Sequence, residues 1–312
     1  MRMLRSSINA LASAFGLKVV RVPRCQSDTS SPNNGSQARS ELRIGAYTLR
    51  APDALSRAYA DYPEMNRTLG RLARLLAVSE PGIGVIDVGA NCGDTAAVIR
   101  SQCELPILCI EGDDQQFALL SEHAKQIPGL TLLQAYLSEV GGDMEDAVEK
   151  RGWNNTLIPG APGSEKIRLH RLDAIEHPWL AQHRVGLLKC DTEGFDIRIL
   201  HGARGILKRD QPVVHFEYNR ENMDRIGEPG LRIFPFLAGL DYSAVLVYDN
   251  IGRMLMATEV SSPVLADLHE YSYGPRGLIY YYDFFVFPKL QTQVCRSFYE
   301  QERQIRRKTA QV

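Results

Sequence analysis

The 312-residue chain has no run of eighteen or more apolar residues, so nothing in it reads as a membrane-spanning helix. It has no excess of charge either. Lys and Arg number 36 against 37 Asp and Glu, for a net −1, which excludes a chain that wraps nucleic acid by charge alone. The low apolar content of a disordered chain is also missing, since 44% of the residues are hydrophobic. The six cysteines, Cys25, Cys92, Cys103, Cys109, Cys190 and Cys295, form no CxxC pair and no metal-ligand spacing. Cys109 and Cys190 lie in apolar runs, where a thiol behaves as a small hydrophobe. The inventory reads as reduced and cytoplasmic. What remains can bury a large core, either as two domains or as one α/β domain of roughly 230 residues with tails.

The two ends differ from the middle. Residues 1–24 carry Arg2, Arg5, Lys18, Arg21 and Arg24 without one acid, around an apolar stretch from Ile8 to Leu17. A transit peptide, an amphipathic segment on an anionic membrane surface and a short helix packed on the domain or a second subunit all fit this pattern. Residues 26–40 are polar and rich in Ser, Asn and Gly, the composition of a linker. The expected organisation is therefore a basic arm and linker over 1–40, a folded domain over 41–290 and a basic tail over 291–312. That tail holds Arg296, Arg303, Arg306, Arg307 and Lys308 at helical spacing and reads as a solvated helix.

Between the ends, apolar runs alternate with helical patterns. Strands are expected at 85–89, 107–110, 130–135, 185–190, 213–216, 243–248 and 278–287, the last as an edge or inserted strand. Helices are expected at 63–79, 95–102, 114–126, 197–207 and 231–240, with 139–184 irregular. Such alternation implies right-handed βαβ crossovers and a mostly parallel sheet covered on both faces. Ligands bind such sheets at the carboxyl ends of the strands, so the residues just after each apolar run are where function is sought.

After the first strand comes Asp87-Val-Gly89-Ala-Asn91-Cys-Gly93, a glycine turn opening a helix. It lacks the GxGxxG of a dinucleotide site and the Gly-Lys-Ser/Thr of a P-loop. Asp87 would repel a pyrophosphate but suits the cationic amino-acid end of S-adenosylmethionine. The second strand ends in Glu111, 24 residues on, where a carboxylate accepts hydrogen bonds from ribose hydroxyls. Tyr136, Leu137 and Ser138 follow the third strand, a place for adenine to rest. The fourth strand runs Leu187-Leu-Lys189-Cys-Asp191-Thr-Glu193-Gly194, with its charges two apart and on one face if the strand continues. Three charges there are costly unless paired or wet. A Lys–carboxylate pair fixing the turn and an acid cluster at the mouth of a site are both open readings. The fifth strand ends in Glu217-Tyr218-Asn219.

These blocks, with Ile110-Glu-Gly-Asp113, Leu172-Asp173, the run from Lys189 to Ala203, the turn Gly239–Tyr242 and the strand ending at Pro288, resemble the FkbM-type methyltransferases in order and spacing over about residues 80 to 288. The Lys-x-Asp-x-Glu-Gly block is the most specific of them. Two positions depart from the family pattern, Gly112 where a proline is usual and Cys190 where isoleucine or valine is usual. The resemblance implies a class I, Rossmann-like three-layer sandwich with a mostly parallel seven-stranded sheet, and S-adenosylmethionine-dependent O-methylation of a sugar, glycan or natural product. It implies that Asp87, Gly89, Asn91, Gly93 and Glu111 hold the cofactor while Lys189, Asp191, Glu193 and Glu217 face the transfer site.

A hydroxyl, with a pKa of about 16, must lose its proton during or just after attack on the methyl, and Asp191 or else Glu217 is the expected acceptor. A divalent metal on Asp191 and Glu217 is the less favoured alternative. For the acceptor, Trp153 and Asn155 in Gly152–Thr156 suit a sugar ring, though an ordinary loop anchored by one Trp fits equally. Tyr218 and Asn219 are better placed. No Asn/Asp-Pro-Pro-aromatic motif points to nucleic-acid bases. A catalytically silent cofactor-binding module and a nucleotide-dependent oxidoreductase are the competing readings.

Overall fold

In the computed structural model, residues 39–151, 154–159, 165–272 and 279–309 are described. They open with a hairpin in place of the end of the expected linker. Strands β1 (Arg39–Ile44) and β2 (Tyr47–Pro52) pair antiparallel and turn Leu42, Ile44, Leu49 and Ala51 inward. Helix α1 (Asp53–Asp61), which was not expected, follows, and then α2 (Arg67–Ser79), the helix expected over 63–79, which starts four residues later after a turn at 63–66.

The βαβ alternation then runs as expected: β3 (Ile83–Val88), α3 (Asp94–Arg100), β4 (Ile107–Glu111), α4 (Asp114–His123) and β5 (Leu130–Gln134). The stretch expected to be irregular is largely a second, four-stranded sheet. It is built from β6 (Tyr136–Leu137), β7 (Gly142–Arg151), β8 (Asn154–Pro159) and β9 (Glu165–His170) in the order β6-β9-β7-β8. Helix α5 (Pro178–Gln182) leads to β10 (Arg184–Cys190). The expected helix at 197–207 is split at Ala203 into α6 (Asp196–Gly202) and α7 (Arg204–Asp210). Strand β11 (Val213–Tyr218), α8 (Arg220–Arg225), α9 (Ile233–Ala238), β12 (Tyr242–Asp249), β13 (Met254–Glu259), α10 (Val264–Tyr271), β14 (Tyr282–Pro288) and α11 (Thr292–Thr309) complete the chain.

The main sheet has the order β13-β12-β14-β11-β10-β3-β4-β5. Seven of its strands are the seven expected; β13 adds an eighth at the edge by folding back on β12. The run from β5 to β11 is parallel, and β14 is inserted antiparallel between β11 and β12. Within β3, Ile86 and Val88 pack into the core on one face while Ile83 and Val85 pack on the other, the alternation of a strand buried on both sides. Helices α6, α7 and α9 cover the first face, and α2, α3 and α11 the second. Among the described residues no helix is long and apolar enough to cross a membrane.

Candidate active site

Five parallel strands end on one side of the sheet, and the cleft there is lined by the residues that follow them. Gly89 leaves β3 at φ +72, and a Cβ on it would sit 1.9 Å from the Asp191 carbonyl oxygen. The loops after β3 and β10 therefore approach as only glycine allows. Asn91, at φ +48, turns its amide N–H to Glu111 Oε2 at 2.9 Å, and Asp113 N–H donates to Oε1 at 2.9 Å. Glu111 is thus fixed in the cleft wall with one lone pair on each oxygen committed. Burial pushes its carboxyl up, against the pull of those two donors. Gly93, at φ +89, caps α3 behind the cleft.

Beside Glu111, a Cβ on Gly112 would lie 2.3 Å from the Tyr136 ring. The glycine that stands where proline is usual thus lets this aromatic lie against the wall. Tyr136 and Leu137 line the cleft; Ser138 does not. Its N–H donates to the His170 carbonyl at 2.9 Å where the chain enters the second sheet, and the residue is buried outside the cleft lining, so the expectation for Ser138 is corrected.

The parallel register sets Lys189 beside Asp87 on one face of the sheet. Their side chains meet at 2.9 Å, 2% and 0% exposed, and Lys189 Nζ also donates to the Gly89 carbonyl at 3.0 Å. Asp191 Oδ2 lies farther off, at 3.7 Å. Lys189 is held strongly as a cation, since its acidic neighbours outweigh burial. One expectation changes here: Asp87 is sealed behind the loop rather than presented to a ligand. Lys189 is among the residues that line the cleft with Asp191 and Glu193, and it also ties β10 to that loop. Strand β10 ends at Cys190, so the two-residue alternation stops before it reaches the acids.

The acids converge by another route. Asp191 is 38% exposed in the cleft, Glu193 turns back at φ +54 to take the Asn222 amide at 2.5 Å, and Glu217 reaches in from β11. One carboxylate oxygen from each lies within 4.8 Å of the others. Glu217 is 9% exposed, and its Oε1 has no hydrogen-bond partner among the described residues. Burial first, then Glu193 and Asp191, push its carboxyl well up. Asp196, which accepts the N–H groups of Thr192 and Gly194 and so shapes the turn, is pushed up to about 7 by burial and by Asp191.

Of the expected acceptor contacts, Asn219 lines the cleft while its Oδ1 caps α8 through the Asn222 N–H. Tyr218 is corrected: alternation along β11 turns it into the core, 1% exposed, with its hydroxyl 2.7 Å from His269 Nδ1. Asn155 lies in β8, at the opposite edge of the second sheet from the strand that carries Tyr136. Trp153 and residues 1–38, which hold the basic arm and nearly all of the expected 1–40 arm and linker, lie outside the described residues. The tail is not simply solvated, since Val294, Cys295, Phe298 and Glu302 of α11 are buried.

The cleft also has walls that sequence spacing does not reveal. Leu55, Met65 and Asn66 come from the segment before β3, and Tyr280 and Tyr281 from the stretch before β14. Asp94, at the start of α3, accepts from the Tyr59 hydroxyl at 2.7 Å and from the Asn66 amide at 3.4 Å. The one local hint was an acid directly after the glycine loop. Its partners stand 28 and 35 residues away.

Residues 140–244 match the model of the methyltransferase FkbM domain. Among solved structures, methyltransferase FkbM from Methylobacillus flagellatus is 16% identical, with TM-score 0.37, over 52% of this chain and 39% of that one. The chain therefore spans well under half the length of that protein. TYW2 of M. jannaschii in complex with AdoMet is 12% identical over 83% of this chain and 90% of that one, with TM-score 0.41. The plantazolicin methyltransferase BamL, in complex with a triazolic desmethylPZN analog and SAH, is 8% identical over 76% and 90%, with TM-score 0.41. No curated protein matches.

Proposed function

We propose that this chain, a methyltransferase of the FkbM family by the domain it carries, moves the methyl group of S-adenosylmethionine to a hydroxyl oxygen of a sugar, glycan or natural product. The observation that carries the reading is the convergence of Asp191, Glu193 and Glu217 at the end of a cleft whose other end holds Glu111 and Tyr136. The residues fit the cofactor: a fixed carboxylate for ribose hydroxyls, an aromatic wall for adenine and an acid-rich lining for a cation. When bound, it supplies a methyl carbon on positively charged sulfur, an electrophile for an oxygen nucleophile.

The rest of the chemistry belongs to the chain. Asp191, open to the cleft, accepts the hydroxyl proton as the oxygen–carbon bond forms. Lys189 is already protonated and buried, so it cannot take that proton; it holds the loops that carry Asp191 and Gly89. Burial and its acidic neighbours favour the neutral form of Glu217, and in that form it can donate a hydrogen bond to the acceptor. Much of the rate should come from holding the reacting atoms in line, which rigid strand ends are suited to do.

The same trio supports a second reading, a divalent cation held by one carboxylate oxygen from each residue. One assay addresses both. Asp191→Asn is expected to lower turnover at least about 100-fold while leaving S-adenosylhomocysteine affinity within about twofold. Full turnover by that variant would remove Asp191 from the mechanism. Loss of wild-type turnover in a chelator, restored by Mg²⁺, would instead establish the metal reading.

A further inference from the structure

We propose that Asp94, aimed by Tyr59 and Asn66, is the carboxylate that receives the ammonium of the cofactor's amino-acid end. The inference rests on the cofactor reading above and assigns a residue to a part of the ligand that Asp87 cannot serve. Asp87 is fully buried, and Lys189 takes up its charge at 2.9 Å.

Asp94 meets the requirements that Asp87 fails. It lines the cleft, and it stands at the start of α3, where the loop from β3 ends, between the Glu111 end and the Asp191 end of the strand order. A ligand that reaches from the ribose carboxylate to the acid trio must cross this loop. The carboxylate is 6% exposed, and its two oxygens are used unequally. Oδ2 takes both side-chain donors, the Tyr59 hydroxyl at 2.7 Å and the Asn66 amide at 3.4 Å. Among the described residues Oδ1 has only the Cys92 thiol, at 3.9 Å. Both side-chain donors are neutral, so they orient the carboxylate without neutralising it; Lys189 offsets part of its charge through space, and a cation in the cleft completes the pairing. Burial raises the Asp94 carboxyl, which is the direction expected of an acid waiting for such a partner.

The support for Asp94 is built into the fold. Tyr59 lies on α1, and its hydroxyl is held well above its ordinary range by burial and by Asp94, so it remains a donor. Asn66 adopts φ +59 at the start of α2, a conformation asparagine tolerates, and its amide reaches both the Tyr59 oxygen at 2.9 Å and Asp94. Tyr59 is thus a positioning residue. It joins the segment before β3 to the grip on the ligand.

Two ligands isolate the contact. S-adenosylhomocysteine carries the amino-acid end, and 5′-methylthioadenosine lacks it while keeping adenosine and sulfur. Calorimetry on the full chain should show Asp94→Asn weakening S-adenosylhomocysteine roughly 10- to 100-fold, the range for a hydrogen bond to a charged group. Affinity for 5′-methylthioadenosine should stay within about twofold. Tyr59→Phe should weaken S-adenosylhomocysteine by roughly 3- to 10-fold with the same selectivity. Equal weakening of both ligands, as a general loss of structure would give, or no change in either, overturns the assignment. A wild-type chain that binds neither ligand overturns the cofactor reading itself, an outcome distinct from the other two.

Discussion

At Gly89 two loops from different βα units meet with no room for a methyl group, and backbone and packing make the same demand. The residue is at φ +72, which costs a side-chain-bearing residue about 1–3 kcal/mol, and its Cβ would meet the Asp191 carbonyl at 1.9 Å. Gly89→Ala should therefore destabilise the fold by more than about 2 kcal/mol in urea and displace Asp191 enough to impair turnover. An unchanged urea midpoint would show that the loops part freely. The glycine was legible in sequence as a turn after an apolar run. Its partner was not, because a contact between residues a hundred positions apart leaves no trace in local spacing. Lys189 teaches the same lesson from the other side. Its charge at a strand end was visible, but the register that delivers it to Asp87 depends on which strands become neighbours.

The elements were read best where burial is two-sided. All seven expected strands of the main sheet are present because their apolar runs are dense and bounded by turn residues. The second sheet escaped notice because β7, Gly-Asp-Met-Glu-Asp-Ala-Val-Glu-Lys-Arg, is mostly polar and finds its hydrogen bonds in β8 and β9. Helix α11 shows a related limit. Its arginines suggested a solvated helix, yet Val294, Phe298 and Glu302 form a buried stripe at helical spacing. That stripe ends in a clamp to α2, where Arg71 donates to both Glu302 oxygens, at 2.6 and 2.9 Å, and to Glu64 at 2.8 Å. Glu302 is 3% exposed, so Glu302→Ala would leave a largely buried guanidinium with Glu64 as its remaining carboxylate. The expected loss is about 2 kcal/mol, below the full value for a broken buried pair because Arg71 is partly exposed. Denaturation in urea with an unchanged m-value would measure it, and a loss under about 0.5 kcal/mol would mean that α11 is held by its apolar face alone.

Across the whole molecule, near-zero net charge conceals a concentration of acid at the carboxyl ends of the strands. Asp94, Glu111, Asp196 and Glu217 are all pushed up, each chiefly by burial, and Asp196 reaches about 7. A carboxyl raised in the folded state holds its proton there at pH values where the unfolded chain has already released it. Its contribution to stability is therefore complete at acid pH and is lost as pH rises through the folded value. For Asp196 alone the loss between pH 6 and 8 is about 1 kcal/mol. His201 and His269, pushed down by burial, act in the opposite direction at the acid end of that range. The informative quantity is therefore the difference between wild type and Glu217→Gln, from which those histidines cancel. Glutamine keeps the shape of the protonated acid without its ionisation, so the variant's advantage in thermal midpoint should grow from pH 6 to pH 8 and reach about 2 °C or more. A gap that stays constant with pH would mean that Glu217 is ionised in the folded chain throughout, and it would then compete with Asp191 as the group that accepts the proton.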